Sequence, residues 1–161
     1  MKIKNIINEN KSFLSGKPNI YFSPGRVNLI GEHIDYLGGN VFPTAINLGT
    51  YAIVTKREDS EFHFFSHNFK EFGKIVVKMD NLNFAEARNW ANYPVGVLEA
   101  MLRLGLKVDC GLNILIYGTL PNSAGLSSSA SLEVLIGVVL SYEFNFEKLN
   151  GDTEAESGIP I

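Results

Sequence analysis

The sequence predicts an α+β domain, and three observations carry that reading. The first half is dominated by runs of β-branched and aromatic residues bounded by Gly, Pro and Asn; helical apolar spacing is confined to the N-terminus and two later stretches; and one more strand pattern lies between those two stretches. In chain order, Ile3, Ile6, Ile7 and Leu14 fall near helical spacing and predict a short amphipathic helix over 3–14. Asn19 to Phe22 and Val27 to Ile30 read as strands separated by the Ser23-Pro24-Gly25 punctuation, and the run from Tyr36 to Asn40, with its two glycines, reads as a tight turn before another extended stretch. Residues 50–56, 61–65 and 74–79 alternate or cluster strand-forming side chains. Apolar positions 93, 97, 98, 101, 102 and 104 predict a helix over 92–104, with Pro94 tolerated in its first turn. A strand over 111–117 follows, and then a helix over 127–144 with Leu132, Leu135, Ile136, Val139 and Leu140 on its inner side.

Composition bounds what such a domain can do. The 161 residues are 45% hydrophobic and 19% charged, a balance that excludes disordered, collagen-like and coiled-coil chains. A formal charge of −3 provides no basic footprint for nucleic acid or for an anionic membrane surface, so any phosphate must be held locally. The lone Cys110 cannot form an internal bridge and the first residues lack the apolar run of a signal peptide, which together predict a cytoplasmic setting. The longest apolar stretch, Leu132 to Leu140, is interrupted by Glu133 and falls far short of the roughly 18 residues of a membrane span. Residues 151–161, GDTEAESGIPI, differ in kind. They carry three acids, no Lys or Arg and no apolar periodicity, and read as a disordered tail on a domain of residues 1–150.

Two segments concentrate the chemistry. In the first, Arg26, Glu32, His33 and Asp35 crowd a stretch that is otherwise apolar and glycine-bearing. Taken singly, Glu32 or Asp35 reads as a solvated surface charge. Together the carboxylates offer acceptors for several hydroxyls and His33 a donor or acceptor, which suits a polyol, while Arg26 offers a fixed charge for a phosphate. A metal triad of Glu32, His33 and Asp35 is disfavoured, because neighbouring residues of an extended chain point to opposite faces. In the second segment, Leu120-Pro121 and a run of small residues ending in Ser127, Ser128 and Ser129 lead straight into a helix. A helix start presents N–H groups without intrahelical partners and partial positive charge, which stabilises phosphate oxygens without a lysine. A serine-rich cap after a proline turn is the ordinary alternative. Neither a P-loop ending nor a dinucleotide glycine pattern is present.

The residues Gly25-Arg-Val-Asn-Leu-Ile-Gly-Glu-His33 with Asp35-Tyr36 closely resemble the galactokinase signature. The run from Pro121 to Ala130, ending in Gly-Leu-Ser-Ser-Ser-Ala, resembles the phosphate-binding motif of the GHMP kinases, and Asn89-Trp-Ala-Asn-Tyr93 is a third match between them, so the resemblance covers residues 19–146. It implies the fold of a GHMP-kinase N-terminal domain, a mixed sheet packed by helices with a left-handed βαβ crossover. It also implies ATP-dependent phosphorylation of α-D-galactose at O1, with ATP and Mg²⁺ as cofactors and galactose and ATP as partners. Residue by residue, Arg26 matches a transition-state stabiliser; Glu32, His33, Ile34 and Asp35 match sugar-contacting positions; Ser123, Ala124, Gly125, Leu126, Ser127, Ser128 and Ser129 match the loop around the ATP phosphates; and Ser129 matches a Mg²⁺ ligand. Ser66, Trp90 and Tyr93 resemble the adenine and ribose side, although a lone Trp is more often core than ligand platform.

Departures accompany the matches. Ile34 stands where the family usually has Thr, and Asn122-Ser123-Ala124 replaces a commoner glycine-containing triplet. The family continues beyond position 150 through its catalytic aspartate and a second GHMP domain, and 151–161 resembles none of that. The resemblance therefore implies an N-terminal portion that is inactive alone and self-associates through apolar surface left uncovered. A non-catalytic sugar- or nucleotide-binding relative and a non-functional fragment are the alternatives.

Overall fold

The structure, a computed structural model, describes residues 2–31, 37–121 and 128–146. Helix α1 (Lys2–Glu9) is followed by strands β1 (Asn19–Ile30), β2 (Phe42–Lys56), β3 (Glu61–Ser66) and β4 (Ile75–Lys78), helix α2 (Asn92–Arg103), strand β5 (Leu112–Gly118) and helix α3 (Ser128–Glu143), with short 3₁₀ turns at Lys70–Phe72 and Glu86–Ala91. The five strands form one sheet in the order β1-β2-β5-β3-β4. The β1/β2, β2/β5 and β3/β4 pairs are antiparallel and β3/β5 is parallel. The sheet is therefore mixed, and its parallel pair is the one whose connection contains α2, since parallel neighbours need a crossover.

The strand period of two explains where the core sits. Ala52 and Val54 of β2, Phe62 and Phe64 of β3, and Ile114 and Ile116 of β5 join the cluster formed with Val95 and Leu98 of α2 and Leu135 and Val139 of α3. Their neighbours Ile53 and Leu115 point the other way and pack against Ile6 and Leu14 from α1 and the turn after it. Strands buried on both faces read as near-continuous apolar runs, which is how the second half of β2 and, apart from Asn113, β5 appear in the sequence. Buried polar groups at one end of the sheet are matched to one another: Arg57 Nη1 donates to Asn113 Oδ1 at 2.8 Å and lies 3.0 Å from His63 Nδ1, while His63 Nε2 lies 3.0 Å from Glu61 Oε2.

The N-terminal helix is shorter than its apolar spacing predicts, closing through turn bonds from Phe13 and Leu14 to Asn10. The predicted break at Ser23-Pro24-Gly25 is absent: β1 runs through it, with register shifts between Pro24 and Arg26 and between Asn28 and Ile30. Proline is tolerated there because β1 is an edge strand. The extended stretch expected after Asn40 and the strand expected over 50–56 are one strand, β2, whose first half pairs along the far part of β1. Ile20, Phe22, Leu29, Ile30 and Phe42 on these two strands are exposed. No helix among the described residues is long and apolar enough to cross a membrane.

Candidate functional site

Four separate parts of the chain meet where α3 begins. Ser66 ends β3, Gly118 ends β5, Trp90 lies in the 3₁₀ turn before α2, and Ser128 and Ser129 open α3. All five line one cavity of about 380 Å³, together with Thr50, Asn68, Phe69, Tyr93, Ile116, Leu120 and Leu132. That volume and a largely apolar wall with a few hydroxyls and an amide suit a flat heteroaromatic ligand with a polar extension.

Local hydrogen bonds fix each wall. Asn68 imitates a strand neighbour: its Nδ2 donates to Gly118 O at 2.9 Å and its Oδ1 accepts from Gly118 N–H at 2.7 Å, joining the ends of β3 and β5. Ser66 Oγ accepts from Phe69 N–H at 3.2 Å. The turn carrying Trp90 is wound around two side chains. Asn92 Nδ2 donates to Ala85 O at 2.8 Å and to Asn89 O at 3.1 Å, and buried Arg88 donates to the main-chain oxygens of Asn81 and Asn83 at 2.6 and 2.5 Å. Asn89 adopts φ 47°, uncommon for a residue with a side chain and concentrated at functional segments. Trp90 is at once core and cavity wall: it meets Phe64 edge-on at 6.4 Å, and its buried Nε1 has no hydrogen-bond partner among the described residues. At the helix start Ser128 and Ser129 are exposed, and the first N–H groups of a helix ordinarily lack intrahelical acceptors.

Beside the cavity, His67 packs edge-on against Tyr117 at 5.6 Å with its Nδ1 buried and unpartnered. Burial, and then the nearby Lys70 ammonium, hold its imidazole below the ordinary histidine range.

Of the residues singled out from sequence, Ser66, Trp90, Tyr93, Ser128 and Ser129 come together in the cavity. Arg26 is exposed on β1, three residues beyond Ser23, and is not among the cavity-lining residues. Glu32, His33, Ile34 and Asp35, and Ser123, Ala124, Gly125, Leu126 and Ser127, lie outside the described residues. Among the described residues no cluster of three His, Cys, Asp or Glu side chains converges as a metal site. Sequence reasoning missed Thr50, Asn68 and Leu120 as cavity walls. Thr50 looks like any strand residue, and nothing local marks Asn68.

Comparison with known proteins gives this geometry its context. The galactokinase galactose-binding signature matches residues 10–56, and the GHMP kinases N terminal domain matches residues 92–158. In structure, the chain superposes on Lactococcus lactis galactokinase, solved with galactose, with a TM-score of 0.84 at 39% identity, over 90% of this chain and 38% of that one. The mevalonate kinase of Methanococcus jannaschii shares the fold, with a TM-score of 0.69 at 22% identity over 81% of this chain and 41% of that one. Fold and site together define a GHMP kinase N-terminal domain.

Sequence relatives narrow this further. The galactokinase of Streptococcus thermophilus is 54% identical over 132 residues, 81% of this chain and 34% of its own length, and that of Fusobacterium nucleatum subsp. nucleatum is 49% identical over 147 residues, 90% of this chain and 38% of its own. The chain belongs to the galactokinase family of kinases, and it spans about a third of the length of the curated relatives it matches.

Proposed function

We propose that this chain forms the galactose- and ATP-phosphate-binding portion, residues 1–150, of an enzyme that phosphorylates α-D-galactose at O1. The observation that carries the reading is that Ser66, Trp90, Tyr93, Ser128 and Ser129, read from separate parts of the sequence as nucleotide contacts, line the same cavity. Trp90 and Tyr93 offer aromatic surface to a base, with the Trp90 indole N–H finding no acceptor among the described residues. The start of α3 directs N–H groups and serine hydroxyls toward phosphate oxygens. Ser129 supplies a hard oxygen of the kind Mg²⁺ accepts, and the metal, when bound, neutralises charge on the transferring phosphoryl group. Arg26 contributes positive charge to the same phosphoryl group, and Glu32, His33 and Asp35, with Ile34 among them, hold the sugar hydroxyls.

In the reaction, O1 of galactose attacks the γ-phosphorus, the bond from that phosphorus to the β,γ-bridging oxygen breaks, and galactose 1-phosphate and ADP result. The O1 proton leaves to a base, which the resemblance puts among residues of the family that lie beyond this chain's match. We therefore expect the 161-residue polypeptide alone to bind ligands with negligible turnover, and its exposed apolar residues on β1 and β2 support self-association. Calorimetry with galactose and with Mg-ATP, run beside a coupled assay of ADP release, tests this. Binding of both without turnover is the expected result. Binding of neither contradicts the assignment, and turnover at an ordinary enzyme's rate contradicts the division of labour.

A further inference from the structure

The start of α3 and the strand carrying Arg26 are far apart in sequence, and one buried hydroxyl joins them. Ser131, in the first turn of α3 and 4% exposed, has its Oγ 2.9 Å from the main-chain oxygen of Ser23 on β1 and 3.1 Å from Oγ1 of Thr50 on β2. A hydroxyl has one proton, so Ser131 donates to the Ser23 carbonyl and accepts from Thr50. This is not ordinary helix chemistry. A serine near a helix start normally caps its own N–H groups, and one inside a helix bonds the preceding turn, as Ser141 does to Gly137 O at 2.8 Å. Ser131 reaches off the helix to two strands.

The same place on the sheet carries a second tie. Ser23 and Thr50 are register partners, and the adjacent pair is Pro24 with Gly49. Gly49 O accepts from Thr119 N–H at 2.8 Å and from the Thr119 hydroxyl at 2.9 Å, while Gly49 N–H donates to Thr119 Oγ1 at 2.9 Å. Thr119 follows β5 and Ser131 lies just inside α3. Both chain segments flanking residues 122–127 are therefore fastened to adjacent rungs of the β1/β2 ladder, close to Arg26.

We propose that Ser131 is a positioning residue: its hydroxyl sets the place of Ser128 and Ser129 relative to the β1 segment bearing Arg26, so that one triphosphate is reached from both. This rests on the nucleotide reading of the cavity. Groups acting on a single phosphoryl centre must be held to within about 0.5 Å, and Ser131 supplies a side-chain contact between the helix start and β1.

The test titrates the 161-residue chain and its Ser131→Ala, Thr119→Val and Ser141→Ala variants by calorimetry, with Mg-ATP and with adenosine. Adenosine carries the base and ribose without phosphates, so general loosening of the fold weakens both ligands, whereas a misplaced helix start weakens Mg-ATP alone. Ser131→Ala is expected to raise the Mg-ATP dissociation constant about tenfold, while adenosine binding stays within about twofold. Thr119→Val is expected to act in the same direction, and it carries the test should Ser131→Ala not fold; Ser141→Ala is expected to change neither ligand. Unchanged Mg-ATP binding in the Ser131 and Thr119 variants, or an equal loss of both ligands, overturns the inference while leaving the nucleotide site intact. A wild-type chain that binds neither ligand overturns the nucleotide reading itself and the inference with it.

Discussion

Tyr21 on β1 donates its hydroxyl proton to Oε1 of Glu143 at the end of α3, at 2.7 Å across 122 positions of sequence. Asn19 Nδ2 donates to the same oxygen at 2.9 Å, and Lys56 Nζ donates to the main-chain oxygen of Glu143 at 2.8 Å. Glu143 is 5% exposed, and a carboxylate so placed is tolerated because it is hydrogen-bonded. The far end of α3 is thus fastened to the edge strand by a buried acid, as its start is fastened by Ser131.

Replacing Glu143 takes the acceptor from the half-buried Tyr21 hydroxyl and the anchor from Asn19. Glu143→Ala is expected to lower unfolding stability by about 2–4 kcal/mol, read from the urea midpoint. Burial first, and then Glu143, push the Tyr21 phenol above the ordinary tyrosine range. Because the folded value is raised, Tyr21 contributes stability that is complete below about pH 10 and lost as pH rises through the folded value. A spectrophotometric titration is expected to show Tyr21 ionising above the ordinary range in the wild type and moving toward it in Glu143→Ala.

Two glycine-to-alanine changes should differ in sign. At Gly49 a Cβ would lie 2.1 Å from Ser23 O and 2.7 Å from the Phe22 ring, so backbone must move. A loss of about 2–4 kcal/mol is expected, together with disturbance of the Thr119 tie. At Gly137, inside α3, an added Cβ meets nothing within 4 Å, and alanine should stabilise by about 0.5–1 kcal/mol through helix propensity alone. Denaturant midpoints of the two variants check both; a stabilised Gly49→Ala would contradict the close approach of β1 and β2.

His67 gives the fold a pH dependence on the acid side. Its folded value is depressed by burial, so its contribution is present above the unfolded value near 6.5 and lost as pH falls through the folded one. Thermal melts at pH 7.5 and 5.5 are expected to show a larger fall in Tm for the wild type than for His67→Phe. Equal falls would place the proton uptake elsewhere.

What was legible in the sequence was whatever local pattern decides. The strand-forming runs over 50–56 and 111–117, and the helical spacing of Leu132, Leu135, Ile136 and Val139, are legible because burial itself writes those patterns. Pro24 misled, since a proline breaks a strand only where its neighbour needs the missing N–H, and edge position is a property of the whole sheet. The extended stretch expected after Asn40 is the first half of β2, and what local pattern does not show is that it continues without a break into 50–56 while pairing along β1. At the site, the serine run and the Asn89-Trp-Ala-Asn-Tyr93 segment were visible as motifs. The cavity walls Thr50 and Asn68, and the ties made by Ser131 and Thr119, depend on contacts across at least 50 positions and leave no local trace.

The central claim is that the cavity at the start of α3 takes the nucleotide, base against Trp90 and phosphates against Ser128 and Ser129. Titrating ¹⁵N-labelled protein with Mg-ATP and following the Trp90 indole N–H and the main-chain amides of Ser128 and Ser129 tests it most directly. These three signals are expected to move together along one saturating curve, while the amide of Cys110, which is not among the cavity-lining residues, stays in place. Saturable binding that leaves all three unmoved would put the nucleotide elsewhere on the protein and contradict the account.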